Sequence, residues 1–340
     1  MTAAPLTTLA AGPAVVALGG GHGLAASLSA LRRVTSRLTA VVTVADDGGS
    51  SGRLRAELGA LPPGDLRMAV AALAGSDPGG ARWAAVLQHR FGGRGELAQH
   101  AVGNLLLTGL AEVTGNPVAS LELLVRLVNG TGRVLPLSAQ PMDLVAAVAG
   151  LDRADPEAVR PVRGQVAIAT TPGKVRSIRT VPERPVACAE ALQAVQEAEW
   201  IILGPGSWFT SVLPHLIVPD FAAALRASTA RRVLVLNLAP QLGETEDFQP
   251  STYLEVLREH APGLGVDVVL ADESVDTGDT ALLAAAGELG ARVVRAGVAA
   301  ADGTPRHDVE ALAVAFRSIF TGTPNETPTV RTAQGEHAWR

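Results

Sequence analysis

The sequence has only one cysteine, Cys188, and only one lysine, Lys174, in 340 residues. A single cysteine excludes an internal disulfide and a metal centre built from several thiolates, which fits a reducing compartment. Cys188 has no basic residue in its immediate sequence surroundings, so we expect a buried, unreactive thiol. A single lysine leaves arginine as the cation available to hold phosphate groups almost everywhere in the chain.

Aromatic residues make up only 3% of the chain, and no apolar run reaches the roughly 18–20 residues that a membrane-spanning helix needs. The first basic residue is Arg32, so the amino terminus lacks the charged region typical of a signal peptide. We therefore expect a cytoplasmic protein that does not insert into a membrane. A formal net charge of −5 argues against a nucleic-acid partner, because proteins that bind nucleic acid normally present a basic surface.

The apolar content, 47% against 18% charged residues, allows a large buried core and excludes a disordered chain. Six short, apolar, β-branched runs, several of which end in Gly, Asp or Asn, alternate with helical stretches. We therefore predict an α/β fold with a Rossmann-like, mostly parallel sheet flanked by helices. The six predicted strands are residues 15–18, 38–45, 200–203, 233–236, 266–270 and 291–295.

The middle of the chain departs from this alternation of strands and helices. Residues 65–130 are predicted to form a helical insertion. Residues 165–169 and 175–181 are predicted to form two β segments that turn at Pro172-Gly173. No repeat or linker divides the chain. The predicted organisation is a flexible N-terminus over 1–12, a single domain over 13–320 and a flexible tail over 321–340.

A glycine-rich turn, called the first turn below, follows the first predicted strand and precedes a predicted helix over 24–33. It contains Gly20, Gly21, His22 and Gly23. Glycine lets a ligand approach the backbone, and a helix N-terminus favours a phosphate by roughly 0.3–2 kcal/mol. The turn lacks the third glycine of the dinucleotide pattern G-x-G-x-x-G. A tight turn that binds nothing is the alternative interpretation.

A second polar segment begins at Asp46 and Asp47, directly after the second predicted strand. Two carboxylates at the carboxyl edge of a sheet can hold Mg²⁺, bind ribose hydroxyls or act as a general base. Both are therefore candidate metal ligands and candidate catalytic residues. Ser50 and Ser51 add hydroxyl donors, and Arg53 offers a forked guanidinium for a phosphate. The alternative is a passive loop in which Asp46 only caps a turn.

A third turn repeats this pattern after the strand predicted over 200–203. Gly204 and Gly206 shape the turn, and Ser207, Thr210 and Ser211 follow it. Their hydroxyls are expected either to donate to a phosphate or to cap the next helix.

Three further polar residues are candidate ligand contacts. Asn237 follows the fourth predicted strand, Asn104 begins a helix of the insertion, and Arg306 precedes the last helix. A cap or a side-chain-to-backbone hydrogen bond is the alternative for the two asparagines, and a solvent-exposed turn is the alternative for Arg306. The sequence contains no Walker A motif, no His-Glu-x-x-His and no Gly-x-Ser-x-Gly elbow, so nothing indicates a P-loop, a zinc protease or an α/β-hydrolase.

Taken in order, these motifs resemble the YvcK family, a branch of the CofD-like superfamily whose namesake is 2-phospho-L-lactate transferase. The resemblance extends over about residues 14–320. The matching strings are Gly19-Gly20-Gly21, Asp46-Asp47-Gly48-Gly49-Ser50-Ser51-Gly52-Arg53, Pro63-Gly64-Asp65, Gly103-Asn104-Leu105-Leu106, Gly204-Pro205-Gly206-Ser207, Gly243-Glu244-Thr245 and Arg306-His307-Asp308.

The resemblance implies a CofD-like fold that binds a UDP-sugar, in particular UDP-N-acetylglucosamine. It also implies a cytoplasmic regulator of cell shape and cell-wall precursor supply, linked to gluconeogenic carbon metabolism, with no established reaction and no required cofactor. Arg306 matches the family arginine of the UDP-sugar site. The implied ligand lies across the first and third turns, with Asp46 or Asp47 near the ribose. The protein partner is unknown, and a homodimer is expected only because it is the commonest assembly.

The chain departs from the family pattern at His22, Met68, Gln99, Pro240 and Leu242. His22 stands where most members have threonine, and its larger ring is expected to change ligand orientation or the pH dependence of binding.

Two other functions stay open at this point. A Mg²⁺-dependent phosphoryl or nucleotidyl transferase is favoured by the paired aspartates beside glycine-rich turns. A nicotinamide dehydrogenase is suggested by the order strand, glycine turn and helix, but the glycine spacing argues against it.

Overall fold

The computed structural model describes residues 12–241 and 243–322. The ends predicted to be flexible, 1–12 and 321–340, lie outside the described residues apart from residues 12, 321 and 322. The strands of the described part are β1 Val15–Gly19, β2 Leu38–Val42, β3 Arg133–Pro136, β4 Asp143–Ala149, β5 Arg160–Arg163, β6 Lys174–Val181, β7 Trp200–Leu203, β8 Arg231–Val235, β9 Val268–Asp272 and β10 Arg292–Ala296.

Helices occupy most of the connections between these strands. Those of the described part are α1 Gly21–Leu31, α2 Gly49–Leu58, α3 Pro63–Leu73, α4 Pro78–Gln88, α5 Val102–Thr114, α6 Pro117–Leu127, α7 Gln165–Ala169, α8 Ala189–Glu197, α9 Pro214–Ile217, α10 Pro219–Ala227, α11 Pro250–His260, α12 Thr280–Glu288 and α13 Val309–Thr321, with a π-helical turn over Trp208–Val212. The segment predicted as a helical insertion therefore consists of α3 to α6.

Seven strands form one fully parallel sheet in the order β10-β9-β8-β7-β1-β2-β3. The predicted α/β class with a mostly parallel sheet and flanking helices is confirmed. All six strands predicted from apolar runs belong to this sheet, because apolar, β-branched residues suit a sheet covered on both faces. The strand β10 lies at the edge and is only half-buried. The second strand is shorter than predicted and ends at Val42, and β3 was not predicted.

The strand order reverses between β1 and β7, and this reversal positions the site. From β1 the chain adds β2 and β3 on one side, and it later returns to add β7, β8, β9 and β10 on the other side. Two neighbouring connections therefore leave the sheet in opposite directions, which opens a crevice beyond the carboxyl ends of β1 and β7. In open α/β sheets, ligands bind at such a switch point.

A second, antiparallel sheet of three strands has the order β5-β4-β6. The prediction of a β segment over 165–169 was wrong, since these residues form the short helix α7. The Asp47 carboxylate accepts a hydrogen bond from the backbone N–H of Val166 in the first turn of α7, at 3.0 Å. This support comes from 119 residues away, so a short apolar run that suits either structure becomes helical here.

The buried apolar side chains of the parallel sheet and of its flanking helices form one continuous core. Its largest fully buried side chains include Trp208, Phe209, Phe221 and Phe316. Cys188 is buried, as expected, and burial raises the pKa of its thiol to about 11. Within the described ranges, no helix combines the length and apolar character needed to cross a membrane.

Candidate functional site

The first and third turns meet at the switch point. A side-chain carbon at Gly23 would overlap the backbone carbonyl of Pro205, so glycine is required for the two turns to touch. Helix α1 begins at Gly21, and its N-cap residue Gly20 contributes no side-chain cap. The N-terminus of α1 therefore opens between the turns as the kind of N–H site that favours a phosphate.

A cleft of about 900 Å³, open to solvent, extends from this contact toward β8 and the segment before α13. Its walls include His22, Gly23, Asn237, Arg306 and His307. Four of these five residues were predicted as ligand contacts from their separate loops, and the sheet edge brings them together. From sequence, His307 stands out only as part of the string Arg306-His307-Asp308. Burial lowers the pKa of His307 to about 4, so its ring is neutral at physiological pH.

Arg306 lies at the rim of the cleft, with a side chain that is 72% exposed. Its Nη2 forms an ion pair with Asp302 at 2.7 Å, and its Nε donates to the hydroxyl of Thr304 at 3.0 Å. An exposed ion pair of this kind is worth only about 0–1 kcal/mol. A phosphate in the cleft can therefore compete with Asp302 for the guanidinium.

Asn237 shapes the cleft by holding the third turn. Its Oδ1 accepts from the N–H of Gly206, and its Nδ2 donates to the carbonyl of Gly206, both at 2.9 Å. This reciprocal pair fixes the backbone beyond Gly204, where the chain leaves β7. Asn237 thus lines the cleft, and its side chain also forms the side-chain-to-backbone hydrogen bonds that were the alternative interpretation of this residue.

The carboxylate of Glu244 fills the position in which a phosphate was expected at the third turn. It accepts from the N–H of Phe209 at 2.9 Å and from the N–H of Thr210 at 3.2 Å. The hydroxyl of Ser207 donates to it at 2.7 Å and also contacts the Thr210 hydroxyl. Ser211 is buried and its N–H donates to the Ser207 carbonyl.

Because Glu244 arrives from 37 residues beyond Ser207, no local sequence pattern revealed this contact. Burial raises the pKa of Glu244, while these hydrogen bonds favour its charged form. A protein carboxylate already occupies this anion position. At the N-terminus of α1, by contrast, the N-cap residue Gly20 supplies no side-chain cap.

A pair of carboxyl groups, Asp46 and Asp65, lies on the other side of the first turn. Asp65 accepts from the N–H of Gly21 and from the hydroxyl of Thr43, the latter at 3.5 Å. Asp46 accepts from the N–H of Gly48 at 2.9 Å. Burial, followed by the charge of Asp46, raises the pKa of Asp65 to about 7. The sequence analysis noted Asp65 only within a matching string, although an acid in the first turn of a helix at the sheet edge was a usable signal.

Asp47 is separated from this pair. Its side chain is exposed and supports α7, as described above. Of the two adjacent aspartates predicted as metal or catalytic candidates, only Asp46 lies beside a second carboxyl group. In the part of the chain described, no group of three or more His, Cys, Asp or Glu side chains could hold a metal ion.

The remaining predicted contacts of the second segment join α2 to the helical insertion. The segment is not a loop, because Gly49–Leu58 form α2. The hydroxyl of Ser50 bonds to Nδ1 of His100 at 2.8 Å and accepts from Nδ2 of Asn104 at 3.0 Å. The hydroxyl of Ser51 accepts from the N–H of Gly64 at 3.0 Å.

Arg53 contacts the backbone of the loop over 89–100 instead of an open phosphate position. Its guanidinium donates to the carbonyls of Glu96 and Ala98, both at 2.8 Å. Arg67, which was not predicted, lies deeper and is only 3% exposed. Burial lowers the pKa of Arg67 to about 10, so the group remains charged at physiological pH.

Comparison with known proteins gives consistent matches over this architecture. Residues 15–305 match the family described as 2-phospho-L-lactate transferase CofD. A Mycobacterium tuberculosis protein named "Putative gluconeogenesis factor" is 52% identical over 340 residues, covering 96% of this chain and 99% of the relative. A Listeria monocytogenes protein named gluconeogenesis factor is 36% identical over 258 residues, covering 76% of this chain and 77% of the relative.

A solved structure agrees with the fold. The crystal structure of a UPF0052-family protein from Bacillus halodurans superposes with a TM-score of 0.78 at 33% identity, covering 89% of this chain and 98% of that chain. The family match includes both turns at the switch point, the aspartate pair and the described part of the cleft up to Pro305. The chain belongs to the CofD family and, within it, to the YvcK branch of gluconeogenesis factors.

Proposed function

We propose that the protein binds a UDP-sugar, UDP-N-acetylglucosamine in particular, in the cleft at the switch point. The observation that carries this proposal is the N-terminus of α1, where the N-cap residue Gly20 supplies no side-chain cap and the residues His22 and Gly23 line the cleft. Asp65 accepts from the N–H of Gly21 on the far side of this turn, and Glu244 fills the equivalent position at the third turn. A nucleoside diphosphate brings negative charge and fits beside Arg306, an arginine at the rim with only a weak competing partner.

In the proposed complex, the diphosphate lies against the backbone of His22 and Gly23, which line the cleft. Arg306 turns from Asp302 to a phosphate oxygen, and the nucleoside occupies the cleft between Asn237 and His307. The sugar then points across the first turn toward Asp46 and Asp65. This direction follows from the positions of the two polar regions on opposite sides of Gly20 and Gly21.

The proposed role is that of a cytoplasmic regulator that reports UDP-sugar supply to cell-shape and cell-wall processes under gluconeogenic growth. The gluconeogenesis-factor names of the relatives support the link to carbon metabolism. Binding would favour one conformation of the loops around the cleft, which a protein partner recognises, and no turnover is required. A homodimer is part of this proposal only as the commonest symmetric assembly.

Calorimetric titration with UDP-N-acetylglucosamine tests the proposal, with UDP, GDP and NAD as competitors. We expect saturable binding that an Arg306→Ala variant weakens by roughly tenfold or more, the loss of one charge-assisted contact. The matched control is Arg126→Ala, which removes an exposed arginine on α6 and should leave affinity unchanged. Absence of binding to any uridine nucleotide would refute the proposal.

A second candidate function, Mg²⁺-dependent phosphoryl or nucleotidyl transfer, is favoured by the pair Asp46 and Asp65. Two neighbouring carboxyl groups, one with a pKa raised to about 7 partly by the other, fit a divalent cation that would relieve their repulsion. Bound Mg²⁺ would neutralise charge on a transferring phosphate. Asp46 and Asp65 would hold the ion, and ligand oxygens and water would complete its coordination.

The two candidates differ in their dependence on metal. If transfer occurs, an acceptor hydroxyl attacks the distal phosphorus of the nucleoside diphosphate, the bond to the bridging oxygen breaks and UMP or GMP leaves. Asp46→Asn and Asp65→Asn should then each abolish a Mg²⁺-dependent release of UMP or GMP, followed by chromatography of the nucleotide products. Asp47→Asn is the matched control, because its carboxylate supports α7 instead. Nucleotide binding without Mg²⁺ and without product would favour the regulator.

A further inference from the structure

The side chain of Arg67 is a buried cation without a hydrogen-bonding partner. It is 3% exposed, and within the described ranges neither Nε nor Nη1 forms a hydrogen bond. Asp46 and Asp65 are close enough to affect its pKa, but the described residues include no ion pair between Arg67 and either carboxylate. Buried charges in proteins are normally paired and hydrogen-bonded, because an unpaired one costs several kcal/mol. An unpaired guanidinium therefore indicates a partner that the chain alone does not supply.

The surroundings of Arg67 contain charges of both signs. Burial and then Arg90 lower the pKa of Arg67, while Asp65 and Asp46 act to raise it. Burial, Arg53 and Arg90 lower the pKa of His100, while Glu57 acts to raise it. These cations lie under or within the loop over 89–100, whose backbone Arg53 holds. Three arginines and the carboxylates of Asp46, Asp65 and Glu57 therefore share this region, and no hydrogen bond joins Arg67 to any of them within the described residues.

Helix α5 leaves space for the arginine at Gly103 and carries two further buried oxygens. A Cβ at Gly103 would lie 2.8 Å from Cγ of Arg67, so glycine is needed for the arginine stem to pass. Oδ1 of Asn104 and Oγ1 of Thr108, one turn apart on α5, are also buried without partners. An amide oxygen cannot bind an anion, but it can accept from a hydroxyl. The guanidinium of Arg67 can bind an anionic group, and the two oxygens on α5 can accept from hydroxyl groups. Together they fit a sugar that carries an anionic group.

We propose that Arg67, Asn104 and Thr108 form a second ligand subsite for an oxyanion-bearing sugar, a carboxylate or phosphate ester, separate from the diphosphate position at α1. The inference extends the proposed function, because the subsite lies on the side of the first turn toward which the sugar points. The oxyanion has two possible sources. One is an acidic sugar attached to the nucleotide, and the other is a separate sugar phosphate bound beside it.

Titrations of the full-length protein with three probes distinguish these sources. UDP-glucuronate should bind more tightly than UDP-N-acetylglucosamine if the acidic group belongs to the nucleotide-sugar. Glucose 6-phosphate should bind in the presence of UDP if the anion is a separate ligand. Arg67→Gln should weaken the favoured probe by about tenfold or more and leave affinity for UDP unchanged. The matched control, Arg126→Gln on α6, should change neither affinity.

A structural role for Arg67 predicts a different pattern, which keeps the inference testable. If the arginine awaits a ligand, Arg67→Met should fold and unfold at the same or a higher temperature, because it removes an unpaired buried charge. In the wild-type protein, the Nε–H resonance of Arg67 should shift on adding the favoured probe, a readout that needs no variant.

Two results would overturn the inference. One is that neither probe binds in an Arg67-dependent manner and no arginine resonance shifts. The other is that Arg67→Met lowers the unfolding temperature by several degrees while probe affinity persists. Failure of the proposed function is distinguishable, because glucose 6-phosphate binding that requires Arg67 would survive a complete absence of uridine-nucleotide binding.

Discussion

Replacement of Asp65 by asparagine should stabilise the protein, and the gain should grow with pH. Burial and the neighbouring Asp46 raise the pKa of Asp65 from 3.8 to about 7. The folded state therefore holds this proton more tightly than the unfolded state. Between about pH 4 and pH 7 the carboxyl group thus lowers the free energy of unfolding as pH rises, and above pH 7 the cost stays constant. Asparagine keeps an acceptor for the N–H of Gly21 but never ionises.

The size of the effect follows from the pKa change. A rise of about three units corresponds to roughly 4 kcal/mol at full ionisation, and partial exposure to solvent reduces this, so we expect roughly 2–4 kcal/mol at pH 8. At pH 5 the difference between Asp65→Asn and wild type should be about 1–2 kcal/mol smaller than at pH 6. Urea unfolding at pH 5, 6, 7 and 8, with a chelator present, measures these differences.

The control for this experiment is Asp220→Asn. Asp220 is an exposed carboxylate in the first turn of α10, and within the described structure it is not hydrogen-bonded to a second carboxyl group. It should not show a gain that increases with pH. A difference for Asp65→Asn that is constant from pH 5 to pH 8, or a loss of stability at every pH, would refute the reasoning. Either result would mean that the hydrogen bonds of the carboxylate outweigh its desolvation.

Three further predictions concern the same sheet edge. Glu244→Ala should lower the free energy of unfolding by roughly 2–4 kcal/mol, because several buried donors lose their acceptor. Urea unfolding measures this change, and a change below about 0.5 kcal/mol would contradict the prediction. Arg53→Ala should increase amide exchange across residues 89–100 by about tenfold, measured by mass spectrometry, with exchange in the parallel sheet unchanged as the control. Asp302→Asn should tighten UDP-sugar binding by up to about fivefold, since it frees Arg306 from its ion pair; weaker binding in calorimetry would show that the pair orients the arginine.

The parallel sheet was predictable from sequence because its signal is local. The run over β1 and that over β7 are apolar throughout and end in glycine, and both strands are buried along their length. Burial on both faces produces a continuous apolar run, which is a direct consequence of helices covering the sheet. The same reasoning missed β3, where a four-residue strand begins with an exposed arginine and ends with proline.

The candidate site was predictable only in outline. Glycine turns and polar strand ends indicated the correct edge, since the carboxyl ends of parallel strands share one side of a sheet. The partner of each side chain was not predictable, because Glu244 reaches a turn 37 residues away and Asp47 reaches a helix 119 residues away. Arg67 gave no signal at all, as an arginine within an amphipathic helix is usually exposed.

The carboxylate of Glu244 also determines how the molecule responds to ions in solution. Because it is tethered by the chain, its effective concentration at the N–H groups of Phe209 and Thr210 far exceeds that of a free anion in a buffer. Phosphate or sulfate in the medium should therefore not displace Glu244 from the third turn, and it should compete with a nucleotide at α1 and Arg306 instead. Buffer anions would then act on the affinity for ligand, while the architecture around the third turn stays insensitive to them.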